Sequence, residues 1–271
     1  MKSLLDVTLS FHTLGEVDLE TRCEAAAAAG LRKVGLSIRR TRVWLRDHPV
    51  AELADLLGRH GIVVGELEVL RPLGAEPDEH EDFALGLARE LAVPLIQAIG
   101  PGAGGPGECA ARLARLADRA ADQGTTISLE FLPFTNVPTI AAAAELVDTA
   151  DRANLGICLD AWHLYRSGGS VADVAGRWPR VASIQLDDGP LTPDVLDDLL
   201  TDCMHHRRLP GDGEFELVAL LSGAERHGGD YSLSVEVISD RLRASSSPGE
   251  VAQRVAAATA RTLAAVAQAM S

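Results

Sequence analysis

Eight times along this chain a short β-branched or aliphatic run alternates with an Ala/Leu-rich stretch of helical period, and this rhythm restricts the fold more than any single motif. The runs fall at 4–11, 33–38, 62–69, 94–100, 125–131, 155–160, 181–187 and 233–238. Helices are expected over 18–30, 49–60, 78–92, 107–123, 138–151, 212–227 and 248–270. A helix between two strands carries the chain back across the sheet, so successive strands run parallel, and eight such units predict a closed (β/α)8 TIM barrel. The competing arrangement is an open doubly wound sheet, but a dinucleotide-binding sheet would need G-x-G-x-x-G after its first strand, and none is present there. No Pro/Gly/Ser linker divides the 271 residues, so 1–271 is expected to form one barrel domain.

The net charge of −14 opposes association with nucleic acid or an anionic membrane surface. No apolar run reaches the roughly 20 residues that span a bilayer. The opening "MKSLLDVTLSFHTLG" places Asp6 inside its apolar stretch and has no small-residue cleavage site, so it does not read as a signal peptide. A cytoplasmic protein with a small-molecule partner is expected, with homo-oligomerisation left open. Cys23, Cys109, Cys158 and Cys203 form no C-x-x-C pair and read as buried thiols of a reducing compartment. The stretch "GPGAGGPG" (100–107) falls at a strand-to-helix loop; with no Lys nearby it reads as a flexible loop rather than a phosphate cradle.

In such a barrel the active site lies at the C-terminal mouth, where residues ending different strands converge. Glu130 closes "ISLE", Asp160 closes "GICLD", Gln185 lies near the end of "VASIQL" and Glu236 near the end of "LSVE". Taken singly, a strand-end carboxylate can equally be a helix N-cap or a loop ion pair. Together, three carboxylates and an amide would repel one another unless a cation compensated them, and an oxygen-rich set of this kind favours Mn2+ or Mg2+, with Zn2+, Co2+ or Fe2+ as replacements. His163, three residues past Asp160, can reach the mouth as a proton carrier or as a partner to a ligand. Trp162 is expected either to wall the substrate pocket or to pack between barrel and helix. The cationic segment "HHRRLPGDGEFEL" (205–217) is expected to project Arg207 over the mouth, where a guanidinium can hold a carboxylate, phosphate or enolate oxygen. Across the barrel, His12 at the end of the first strand, Glu68 at the end of the third and Arg71 just beyond are candidates to line the substrate pocket.

From "SLEFLP" through "LDAWH", "IQLDD" and "RRLPGDGEF" to "SVEVIS", the chain resembles the xylose isomerase-like TIM-barrel superfamily, also called sugar phosphate isomerases/epimerases. The specific motifs occupy the half after about residue 125. The resemblance implies that Glu130, Asp160, Gln185 and Glu236 are the metal ligands, His163 the histidine of an Asp-x-x-His motif, and Arg207 the Arg before the Pro-Gly turn. Many relatives have His where this chain has Gln185, and Gln there is similar to the bacterial 3-dehydroshikimate dehydratase branch. The segment "ELEVLRPLGAEP" lacks that branch's Pro-Phe-Arg pattern, and Ser37 stands where many relatives carry an acid.

The expected chemistry is proton abstraction beside a carbonyl, through a metal-stabilised enediolate. A metal-dependent isomerase or epimerase of a keto-sugar or keto-polyol would use Glu130 and Glu236 as its bases, as the resemblance implies. A hydro-lyase acting on a related keto-polyol would rely on His163 as proton carrier. A DNA-repair endonuclease with the same barrel would need several strand-end histidines, and only His12 and His163 qualify; a non-catalytic barrel is the remaining alternative.

Overall fold

The computed structural model describes residues 1–71, 74, 76–100, 102–228 and 230–271. Pro101 of the Gly/Pro stretch, and Pro72, Leu73 and Ala75 of the segment after the third strand, lie outside the described residues.

Eight parallel strands close on themselves in sequence order. They are β1 (Val7–Leu9), β2 (Lys33–Ser37), β3 (Val63–Leu70), β4 (Leu95–Ile99), β5 (Thr126–Glu130), β6 (Leu155–Asp160), β7 (Val181–Leu186) and β8 (Ser232–Val235). The ring is completed where Val7, Thr8 and Leu9 pair with Leu233, Ser234 and Val235. Outside it lie α1 (Leu19–Ala28), α2 (Val50–His60), α3 (Glu79–Leu91), α4 (Pro106–Ala121), α5 (Ile140–Ala150), α6 (Ala161–Arg166), α7 (Leu217–Arg226) and α8 (Pro248–Ala269). Aliphatic side chains from both layers, among them Val34, Leu36, Leu53, Leu113, Ile127, Val147 and Leu220, form one continuous buried core. Buried on both faces, the strands read as nearly unbroken apolar runs.

Local chemistry sets the boundaries. The first strand is shorter than expected because Ser3 and Asp6 tie Leu4–Asp6 into a 3-10 turn, with Ser3 N–H and Oγ both donating to Asp6 Oδ2 at 2.8 Å. Beyond the strand, Ser10 caps a helical turn over Phe11–Leu14, so His12 sits on that turn rather than ending β1. The helix expected over 212–227 begins only at Leu217, because Asp188 accepts the N–H groups of Gly211 at 2.9 Å and Phe215 at 3.0 Å and pins the preceding residues as a loop. At the start of α4, Gly105 N–H donates to Glu108 Oε2 at 2.9 Å, so the chain's own carboxylate satisfies that helix-entry amide.

The interior of the barrel departs from the usual bulky aliphatic filling. One layer below the mouth it holds Glu66, Gln97, Ser128, Cys158, Ser183 and Ser234, all buried. Ser128 and Ser183, on strands that do not pair, hydrogen-bond across the interior at 2.7 Å.

Candidate functional site

Four neighbouring strands deliver oxygen donors to one rim. Glu130 is the last residue of β5, Asp160 the last of β6, Gln185 the penultimate residue of β7, and Glu236 follows directly on β8. All four are buried, and Asp160 and Gln185 are register partners on adjacent strands. Asp160 divides its two oxygens: Oδ1 accepts the His163 N–H at 2.9 Å and caps α6, while Oδ2 accepts from Arg207 Nη1 at 2.7 Å. Capping and site chemistry thus coincide in one residue. The helical turn that starts at Ala161 brings the His163 ring to the Glu130 carboxylate, with Nε2 3.3 Å from Oε1. His163 Nδ1 is buried and has no hydrogen-bond partner among the described residues. Glu130, Asp160 and His163 each offer a ligand atom, and the three atoms lie within 4.8 Å of one another.

A second group faces the first. His12, Glu68 and Glu236 also bring ligand atoms within 4.8 Å of one another. Ser10 Oγ sits between the carboxylates, 3.1 Å from Glu68 Oε2 and 2.9 Å from Glu236 Oε1, and Phe11 N–H donates to Glu68 Oε1 at 2.8 Å. Gly35 on β2 makes room for this arrangement, since a Cβ there would overlap Glu68 Oε1. A cavity of about 870 Å³ opens over the group, lined among others by His12, Ser37, Arg39, Glu68 and Arg71.

The expected position of Arg207 is corrected by the fold. Instead of projecting over the mouth it is buried beneath it, with Nη1 reaching Asp160, Glu236 Oε2 at 3.1 Å and Asp187. Its Nε donates to the Cys203 carbonyl at 3.1 Å, and its guanidinium lies 5.6 Å from the Trp162 ring centroid. Trp162 itself is 1% exposed and donates Nε1–H to Asp202 at 3.1 Å, so of its two expected roles the fold takes the packing one. Asp187, Glu66 and Ser10 were not singled out as site residues; "IQLDD" and "VGELEV" do carry the acids, but which of them face inward depends on barrel register.

The electrostatics follow from this crowding. Burial and repulsion from Glu236 push Glu68 up to about 7. Burial raises Glu130, although His163 opposes it, and burial with the nearby Asp160 holds Asp187 well above the carboxylate range. Asp160 is the exception: burial alone would raise it, yet Arg207 and His163 hold it below its ordinary value. Six buried carboxyls, Glu66, Glu68, Glu130, Asp160, Asp187 and Glu236, therefore outnumber the buried guanidinium groups here, Arg207 within the cluster and Arg22 beside Glu68. A divalent cation fits this donor set: hard oxygens predominate, the charge surplus otherwise has to be held by protons, and the buried Cys158 thiol stays protonated because burial raises it. Histidine nitrogen within the first group extends the fit to Zn2+.

No helix among the described residues is long and apolar enough to cross a membrane. The chain matches the family model of the xylose isomerase-like TIM barrel over residues 23–262. A 3-dehydroshikimate dehydratase of Pseudomonas aeruginosa is 34% identical over 167 residues, 60% of this chain and 26% of that protein. An inosose isomerase of Bacillus subtilis is 33% identical over 128 residues, 46% of this chain and 44% of that protein. The matched stretches thus span less than half the length of these curated relatives. Among solved structures, the IolI protein with a bound zinc atom superposes at TM-score 0.79 and 23% identity, covering 97% of this chain and 98% of that one. An L-ribulose 3-epimerase superposes at TM-score 0.71 and 14% identity over 97% and 96% of the two chains. With the model spanning most of its length and eight strands closed in order, this chain belongs to the xylose isomerase-like TIM barrel family.

Proposed function

We propose that this protein is a divalent-metal-dependent isomerase or epimerase acting on a keto-sugar or keto-polyol by removing and returning a proton beside the carbonyl. The observation that carries the reading is the pairing of two carboxylate–histidine groups around one mouth, the buried Glu130 and His163 and the buried Glu68 and Glu236 with the half-buried His12. Isomerases acting on small keto-polyols among its relatives agree with it.

Glu130, Asp160, Gln185 and Glu236 would hold the metal, which when bound polarises the substrate carbonyl and stabilises the charge that develops as the proton leaves. The remaining work belongs to the chain. Glu130, raised by burial, is poised to accept the α-proton, and His163 Nε2 at 3.3 Å can share it. Glu236, fixed by Ser10 and Arg207, approaches from the other group and can return a proton to the opposite face. Arg207 keeps Asp160 ionised, and Phe11 N–H orients Glu68.

A second reading, a hydro-lyase on a related keto-polyol, is favoured by one feature of the cavity. Arg39 and Arg71 line it, both exposed and without an ion-pair partner among the described residues, which suits a substrate bearing a carboxylate. The dehydratase relative from Pseudomonas aeruginosa points the same way. Incubating the metal-loaded protein with neutral and carboxylated keto-polyols in D2O separates the readings: deuterium entering the α-carbon without loss of water supports the isomerase, and enone absorbance supports the lyase. Asp160→Asn and Glu236→Gln should each purify with less Mn2+ or Mg2+ than the parent; undiminished metal in both would refute the ligand set.

A further inference from the structure

Beneath the proposed ligands a chain of hydrogen bonds crosses the barrel with a fixed direction. Glu66 on β3, Gln97 on β4 and Gln185 on β7 are each at most 1% exposed. Gln97 Nε2 donates to Glu66 Oε2 at 3.1 Å, Gln185 Nε2 donates to Gln97 Oε1 at 3.4 Å, and the Cys158 thiol donates to Gln185 Oε1 at 3.2 Å. The metal reading assigns no role to Glu66 or Gln97.

We infer that Glu66 and Gln97 are positioning residues that fix which end of the Gln185 amide can serve a cation. The inference rests on the reading of Gln185 as a ligand. The two ends of a carboxamide are nearly equal in size but opposite in charge, so a glutamine on a strand has no steric reason to present oxygen rather than nitrogen. Glu66 removes that ambiguity. Its Oε2 accepts a hydrogen bond when the carboxyl is ionised, and still accepts when a proton resides on Oε1, which has no partner among the described residues. Gln97 must therefore turn its NH2 toward Glu66 and its carbonyl toward Gln185. Gln185 answers with its own NH2, which leaves its carbonyl oxygen, with one lone pair taken by the Cys158 thiol, as the end that can serve a cation. Flipping Gln185 alone would set oxygen against the Gln97 oxygen and NH2 against the Cys158 thiol, two buried mismatches in place of two hydrogen bonds. The carboxylate on the third strand thereby selects the ligand atom on the seventh, through a residue that touches no metal.

The test is Mn2+ titration calorimetry on the full chain after chelator stripping. Gln97→Met keeps the volume and removes both ends of the relay; it should weaken Mn2+ binding about fivefold, the scale of one hydrogen bond. Gln185→Glu offers oxygen at either end and sets one against Gln97 Oε1, so in that background Gln97→Met should not weaken Mn2+ binding. Equal losses in the two backgrounds, or no loss with Gln185 present, would overturn the relay. Gln185→Leu tests the underlying reading separately: if it binds Mn2+ as tightly as the parent, Gln185 is no ligand and the inference falls with it. A measurement on the unmutated, metal-free chain covers the case in which Gln97→Met does not fold. The Gln185 side-chain amide, identified by its loss in Gln185→Leu, should exchange its Nε2 protons with D2O far more slowly than that of the exposed Gln253, and exchange at the same rate would overturn the relay.

Discussion

Arg207→Met is the substitution whose consequence the structure specifies most fully. The guanidinium is 2% exposed and meets Asp160 at 2.7 Å, Glu236 at 3.1 Å and Asp187. Methionine fills much of the same volume without the charge, so the loss is electrostatic: three carboxyls remain buried with no cation. Breaking a buried ion pair by deleting one partner costs about 3–5 kcal/mol, because the stranded charge cannot regain water. For a domain of this size that corresponds to a fall in Tm of roughly 10 °C in the metal-free protein. The loss should depend on pH. Asp187 already sits well above the carboxylate range and would rise further without Arg207, so the cost shrinks as pH falls and the carboxyl takes up its proton. Mn2+ should restore stability, by about 2.7 kcal/mol at a hundredfold excess over its Kd. Thermal and urea unfolding followed by circular dichroism, at about pH 5 and 8 and with or without Mn2+, give all three quantities. A loss below about 1 kcal/mol, or one equal at both pH values and indifferent to metal, would refute the assignment of Arg207 as the internal counter-ion.

Other outcomes follow from the same geometry. Glu68 titrates near 7 in the folded chain against 4.5 for the ordinary group, so its favourable contribution is complete below about pH 4.5 and is lost as pH rises through 7; urea unfolding of metal-free protein should show about 3 kcal/mol of this loss, absent in Glu68→Gln. Gly35→Ala should cost about 1–3 kcal/mol in a melt, because the new methyl displaces the Glu68 carboxylate from the Phe11 N–H. His163→Gln should slow α-proton exchange in D2O by about 100-fold or more while leaving the far-ultraviolet dichroism unchanged. Trp162→Phe should cost about 1–2 kcal/mol, since Asp202 loses a buried donor at 3.1 Å, and exchange rates should persist if the residue only packs.

Much of this protein can be read along the chain. Strand positions β2 to β7 match the expected runs to within a residue, and β8 ends at Val235, three residues before the expected 238; a parallel strand covered on both faces must be apolar along its length. The departures sit where side chains bond to nearby backbone. Ser3, Ser10 and Asp188 each divert a short segment into a turn, and such bonds compete with periodicity without altering it visibly. Helix α6 escaped notice because it is only six residues long and its cap, Asp160, reads first as a strand end.

The alternation that closes the barrel and the placing of Glu130, Asp160, Gln185 and Glu236 at four successive strand ends are matters of local pattern and order, legible along the chain. Which further groups join them depends on how the ring closes. Closing β1 against β8 brings Ser10 to within 2.9 Å of Glu236 across 226 residues of sequence, and the register of each strand chooses whether Glu66, Gln97 or Asp187 faces the interior. It also turned Arg207 inward, because six buried carboxyls left a charge that a solvent-facing guanidinium could not offset. Strand order is a property of the chain, whereas the distance between two strand ends is a property of the closed ring, and the balance of charge is settled there.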